Sequence, residues 1–120
     1  VELEIVLSNL VSYVDGAVGA ALGGMDGLLV EQYAVEAKLN LSTIIAEHAN
    51  ILRNARSAYS NSLAAGNIRE VLVTAEHMLG YTRLVTPDFF LTLVLDPKGN
   101  IGKARLLGDQ AVKQIQEIVG

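Results

Sequence analysis

Residues 17–33 read AVGAALGGMDGLLVEQY, and the choice of fold turns on them. Asp15 and Gly16 interrupt what precedes, and Ala17–Leu22 is a run of small and apolar residues suited to a strand. Gly23, Gly24, Met25, Asp26 and Gly27 then form a glycine cluster containing Asp-Gly, a hairpin signal. The second arm, Leu28–Tyr33, is apolar at Leu28, Leu29 and Val30 before Glu31, so the hairpin is expected to bury most of one side against a helix.

On the N-terminal side, Leu3, Val6, Leu10 and Val14 recur every three or four residues and predict a helix over 2–13. On the C-terminal side, Asn40 and Ser42 can each cap a second helix. Its apolar stripe is Leu41, Ile44, Ile45, His48, Ile51, Leu52, Ala55, Tyr59 and Leu63, ending near Ala64, Ala65 and Gly66. Ala46 and Ala49 make a second, narrow strip of small side chains beside it. Beyond Gly66 the pattern becomes β-branched and aromatic over 68–74, 80–85 and 89–95, which predicts three strands, with a turn at 76–79 and a proline turn at Thr86, Pro87 and Asp88. Asp96, Pro97, Lys98, Gly99 and Asn100 close the last strand. Ile101, Ala104, Leu107, Ala111, Ile115 and Ile118 mark a third helix. The predicted order is α-β-β-α-β-β-β-α, an α/β fold with a five-stranded antiparallel sheet. The first and third helices should cover one face and the long helix the other. No linker or repeat divides residues 1–120, so one domain is expected.

With 120 residues, 51% of them hydrophobic, one sizeable core can be buried. The chain has no cysteine, which removes disulfides, thiolate metal sites and cysteine nucleophiles and makes the cytoplasm the default compartment. The longest apolar or glycine run, Gly16–Met25, falls far short of the roughly 20 residues that span a bilayer. Glu2 and Glu4 stand where an export signal would be positive, and Val1 in place of Met points to trimming. A net charge of −4 with scattered basic residues argues against nucleic acid as a partner.

No pattern advertises catalysis. The glycines match neither GxGxxG nor GxxxxGK[ST], and they lead into a strand where a phosphate cradle leads into a helix. Glu47-His48 and Glu76-His77 are adjacent pairs, not HExxH, and two histidines without cysteine do not form a zinc spacing. His48 is expected to be a hydrogen-bonded core or interface residue, and His77 to lie in a turn. No serine sits in GxSxG. Asp88, Asp96 and Asp109 read as solvated turns and helix ends. Lys98, Lys103 and Arg105 gather near the start of the third helix, against its dipole, where they could meet an acidic partner. No cofactor and no enzymatic activity are expected.

Val18-Gly19-Ala20-Ala21-Leu22 feeding Asp26-Gly27-Leu28-Leu29-Val30, then the long helix, then Glu70-Val71-Leu72-Val73-Thr74 and Asn100-Ile101-Gly102-Lys103-Ala104-Arg105, together resemble the Roadblock/dynein-light-chain family over nearly the whole chain. The resemblance implies a homodimer or heterodimer with paired long helices and sheets aligned edge to edge, a platform for small Ras-like GTPases or for motor and scaffold complexes. The nearest analogues it implies are the MglB-type prokaryotic members, dimeric activators that reshape a GTPase without donating an arginine. Arg53 and Arg56 map onto no catalytic motif. The expected function is a non-catalytic regulatory or adaptor domain. The alternatives are a scaffold subunit without effect on GTP hydrolysis and, more remotely, a small-molecule sensor with His48 or Tyr59 as polar handle. The surface expected to carry the interaction is the long helix, with Ala46, Ala49, Asn50 and Arg53 toward a twin and Glu47, Asn54 and Ser57 at the rim.

Overall fold

In the computed structural model, which describes residues 2–120, the order of elements is the expected one. They are α1 (Leu3–Tyr13), β1 (Ala17–Gly24), β2 (Leu29–Ala34), α2 (Leu41–Arg56), β3 (Glu70–Thr74), β4 (Leu79–Leu84), β5 (Phe89–Leu95) and α3 (Ile101–Val119). Val1, and the reading of the chain's start that rests on it, lies outside the described residues. No described helix is long and apolar enough to cross a membrane.

The five strands form one antiparallel sheet in the order β2-β1-β5-β4-β3. β5 is the central strand, and alternation along it divides the core. Leu91, Leu93 and Leu95 join α1 and α3 on one face, while Phe90 and Val94 join α2 on the other. Asn40 and Asn100 cap α2 and α3, their side chains accepting the Thr43 and Lys103 amides at 3.1 and 3.0 Å.

Two expectations need correction. Gly23 and Gly24 belong to β1 and not to the turn, which is made by the residues after them and includes Gly27 at φ +89°. Their role is clearance, because a Cβ on Gly23 would lie 2.6 Å from Ile45 Cγ2 and 2.9 Å from the Phe90 ring. Gly19, Ala21 and Gly23 thus leave a nearly bare lane on the α2 side of β1, into which Leu41 and Ile45 settle. The second correction concerns the end of the long helix. Past Arg56 it continues as a π-helical stretch, Ser57–Ser62, then stops through Ala64 and Gly66, both at positive φ. The wider turn rotates Tyr59 and Leu63 off the buried stripe, and both are exposed.

Because the lane admits no extra carbon, Gly23→Ala should lower stability by about 1–3 kcal/mol, the usual cost of overpacking a tight core. Urea denaturation followed by circular dichroism checks this through a fall in the midpoint with little change in slope.

Candidate interaction site

The helix expected to carry the interaction presents its residues differently from the sequence expectation. Leu41, Ile45, His48, Ala49 and Leu52 point into the sheet, and Ala49 is 0% exposed. Ala49 therefore cannot face a twin. Two apolar strips lay side by side in the sequence, and the bare lane on β1 draws the phase of the helix toward the one that includes the small Ala49. Ala46 is half-buried, its Cα 3.9 Å from where a Cβ on Gly27 would stand. Arg53 is exposed, but its guanidinium donates to the Met25 carbonyl and to Asn50 Oδ1. This flank of α2 is thus spent on the β1–β2 hairpin of its own chain. Glu47, Asn54 and Ser57, expected at the rim, are exposed along the outside of the helix, and Asn50, expected toward a twin, is exposed there with them.

The opposite flank is where apolar surface remains. Ile44 and Ile51 are half-buried there, and across from them stand Val71, Met78 and Val73, the last 38% exposed. β3 closes this side of the sheet and among the described residues pairs only with β4, so its outer backbone groups have no strand partner among them. β3 is braced from the other face, where Arg105 Nε donates to Glu70 Oε1 at 2.9 Å and Tyr81 Oη donates to Glu70 Oε2. Arg105 is therefore withdrawn from the basic group expected at the start of α3, and Arg83 holds Asp109 at 2.6 Å.

Beneath this flank lies a buried polar chain. His48 Nδ1 is 2.6 Å from Thr82 Oγ1, which is 2.7 Å from Thr92 Oγ1. Gly80 makes room for the imidazole, since a Cβ there would lie 2.7 Å from His48 Cε1 and Nε2. One threonine hydroxyl, itself bonded to a second, satisfies the Nδ1 nitrogen without any carboxylate, so the chain holds a histidine in place and offers no base orientation of the catalytic kind. Burial pushes the His48 imidazole below its ordinary value, with the Glu47 carboxylate pulling weakly the other way. His77 sits in the β3–β4 turn, exposed, with its Nε2 3.6 Å from the carboxylate of its neighbour Glu76. Among the described residues no group of three His, Cys, Asp or Glu comes together as a metal site. A cleft of about 470 Å³ lined by Arg56, Asn67, Ile68, Leu84, Thr86 and Pro87 contains neither His48 nor Tyr59, the handles expected of a sensor.

A helix-covered antiparallel sheet with an open edge and an apolar flank defines a class of interaction domain more readily than an active site. No family model matches the sequence, and no curated protein matches it. Solved structures do. MglC from Myxococcus xanthus is 32% identical, with 96% of this chain and 97% of that one covered and a TM-score of 0.67. A Roadblock/LC7 domain from Streptomyces avermitilis is 18% identical over 99% and 98% of the two chains, with a TM-score of 0.90. MglB from Thermus thermophilus is 23% identical over 97% and 87%, with a TM-score of 0.83. The last two show the fold, and the likeness in sequence to MglC adds descent. The chain belongs to the Roadblock/LC7 family, and is in kind a regulatory or adaptor domain.

Two outcomes follow. Ala49→Glu should unfold the protein, by more than about 3 kcal/mol for an unpaired carboxylate in the core, so its circular dichroism spectrum loses structure at temperatures where the wild type is folded. The folded chain also binds a proton at His48 less readily than the unfolded one. The stability His48 contributes is therefore complete above its ordinary pKa of 6.5 and is lost as pH falls below that value. Urea titrations across this window should show the loss in the wild type and a flatter profile in His48→Gln.

Proposed function

We propose that this chain is a non-catalytic adaptor that works as a dimer and docks a small Ras-like GTPase. The observation that carries the reading is the continuity of two unpartnered features, the Ile44/Ile51 flank of α2 and the free edge of β3. Both lie on one side of the sheet, where a two-fold axis could cover the flank and extend the sheet in one contact. Such an interface is self-complementary because β3 can pair antiparallel with its own copy. Within it, Glu47, Asn54 and Ser57 line the outer rim of the paired helices, Asn50 joins that rim, and the twin-facing role passes from Ala46, Ala49, Asn50 and Arg53 to Ile44 and Ile51. Whole-length similarity to MglC and MglB supports a GTPase as the partner, through the function that the family resemblance implies.

The GTPase would be held by positioning contacts. A platform of this kind can accelerate phosphoryl transfer by ordering the partner's own loops, without supplying a reacting group. Arg56 fits that restraint: its guanidinium donates to the Pro87 carbonyl at 3.2 Å and so spends a hydrogen bond within its own chain.

Analytical ultracentrifugation should show a dimer for the wild type and a monomer for Ile51→Glu with an unchanged circular dichroism spectrum. A dimer that survives the charge refutes the interface. Capture of a small GTPase from native lysate by the dimer in one nucleotide state, and not by Ile51→Glu, would support the partner. Nucleotide-independent capture of motor or filament proteins would make the chain a scaffold instead.

A further inference from the structure

The other end of the sheet is also open. Among the described residues β2 pairs only with β1, and the residues on and beside it contain Leu28, Val30 and Val35, which are 67%, 48% and 63% exposed. Open strands in monomeric proteins ordinarily carry lysine, proline or a covering loop. This one carries apolar side chains and acid. The ladder itself fixes which amides look outward. Val35 N–H donates to the Val18 carbonyl at 3.0 Å, and Gln32 lies opposite Ala21, so alternation turns the Gln32 N–H away from β1. It is not left to solvent, because it donates at 2.9 Å to the carboxylate of its own neighbour, Glu31. The edge is capped by a side chain that can move.

Charge says what could displace the cap. Residues 1–50 contain seven acidic residues and one basic residue, whereas residues 51–120 contain six acidic and eight basic ones. The first set builds α1, β1, β2 and the first ten residues of α2, where one of the seven acids, Glu47, lies. Asp26, Glu31 and Glu36 border the β2 edge, and the basic residue among the first 50, Lys38, is drawn to Glu36 at 3.4 Å. Arg53, the nearest base from α2, is held on Met25 and Asn50.

We propose that the edge of β2 accepts an extended segment of alternating basic and apolar residues from another protein as an added strand. A lysine or arginine of that segment draws the Glu31 carboxylate off the Gln32 amide, which then pairs with the incoming backbone. The apolar side chains of the segment cover Val30 and its exposed neighbours. A second copy presenting the same edge is the poorer occupant, since Asp26, Glu31 and Glu36 would meet their own duplicates. The surface lies at the end of the sheet away from β3 and does not depend on the dimer proposed above.

The probe is a labelled peptide of about eight residues, a strand's length, alternating lysine with valine, with a glutamate–valine peptide as control. Fluorescence anisotropy should show the lysine peptide binding and the glutamate peptide not binding. Gln32→Pro keeps every charge and the β1 ladder but removes the outward amide, and should weaken binding by about tenfold or more, as should Glu31→Lys. Hydrogen exchange should slow at Gln32 when the lysine peptide is added. Should Gln32→Pro fail to fold by circular dichroism, Val30→Glu on the exposed side takes its place. Absence of binding to the wild type, equal binding by the variants, or slowed exchange at Leu72 of β3 in place of Gln32 overturns the proposal. So does peptide-free association that Gln32→Pro abolishes, which would give the edge to a second copy.

Discussion

The contact on which the arrangement depends is the seating of α2 against a strand that has almost no side chains on that face. Gly19, Ala21 and Gly23 let Leu41 and Ile45 reach the backbone of β1, and a single added carbon at Gly23 would overlap Ile45. Dispersion contacts at that range are collectively large and fall off steeply with separation. The helix is therefore held over the β1 side of the sheet and not over its centre. Everything on the opposite side of that face follows from the offset. Gly80 admits His48, the threonine pair satisfies it, and the ground above β3 is left without cover.

That offset also explains what the sequence could and could not reveal. Period and capping were sufficient for the helices, and the run of aromatic and β-branched residues fixed Phe89–Leu95 to the residue. The glycines at 23 and 24 carry the same letters in a turn and in a packed strand, and only the partner across the gap distinguishes them. Helical period likewise shows that α2 has a buried stripe and a strip of alanines beside it. It does not show which of them a glycine-lined strand will select, and so Ala49 was misplaced, whereas Glu47, Asn54 and Ser57 are exposed on the outside of the helix together with Asn50. The exposed positions of Tyr59 and Leu63 depend on a change of helical pitch over Ser57–Ser62, and hydrophobic period, which assumes one pitch throughout, does not register it.

The two ends of the sheet differ in kind. β3 is short, braced by Arg105 and Tyr81 through Glu70, and bordered by aliphatic side chains, a surface suited to an equal partner. β2 is bordered by carboxylates and capped by its own Glu31. A sheet that offers unlike edges can engage two partners at once without their competing, because the paired strands between them keep the ends about four strand spacings, roughly 20 Å, apart.

The π-helical stretch after Arg56 has a bearing on how such a chain can change length. A wide turn holds one more residue than an α-turn of the same rise, so an inserted residue there is absorbed locally and the elements on either side keep their register. Loss of one residue between Ser57 and Ser62 would restore the α-helical pitch and swing Leu63 toward the stripe begun by Leu41. The end of α2 is thus a place where lineages can gain or lose a residue while the sheet is inherited unaltered.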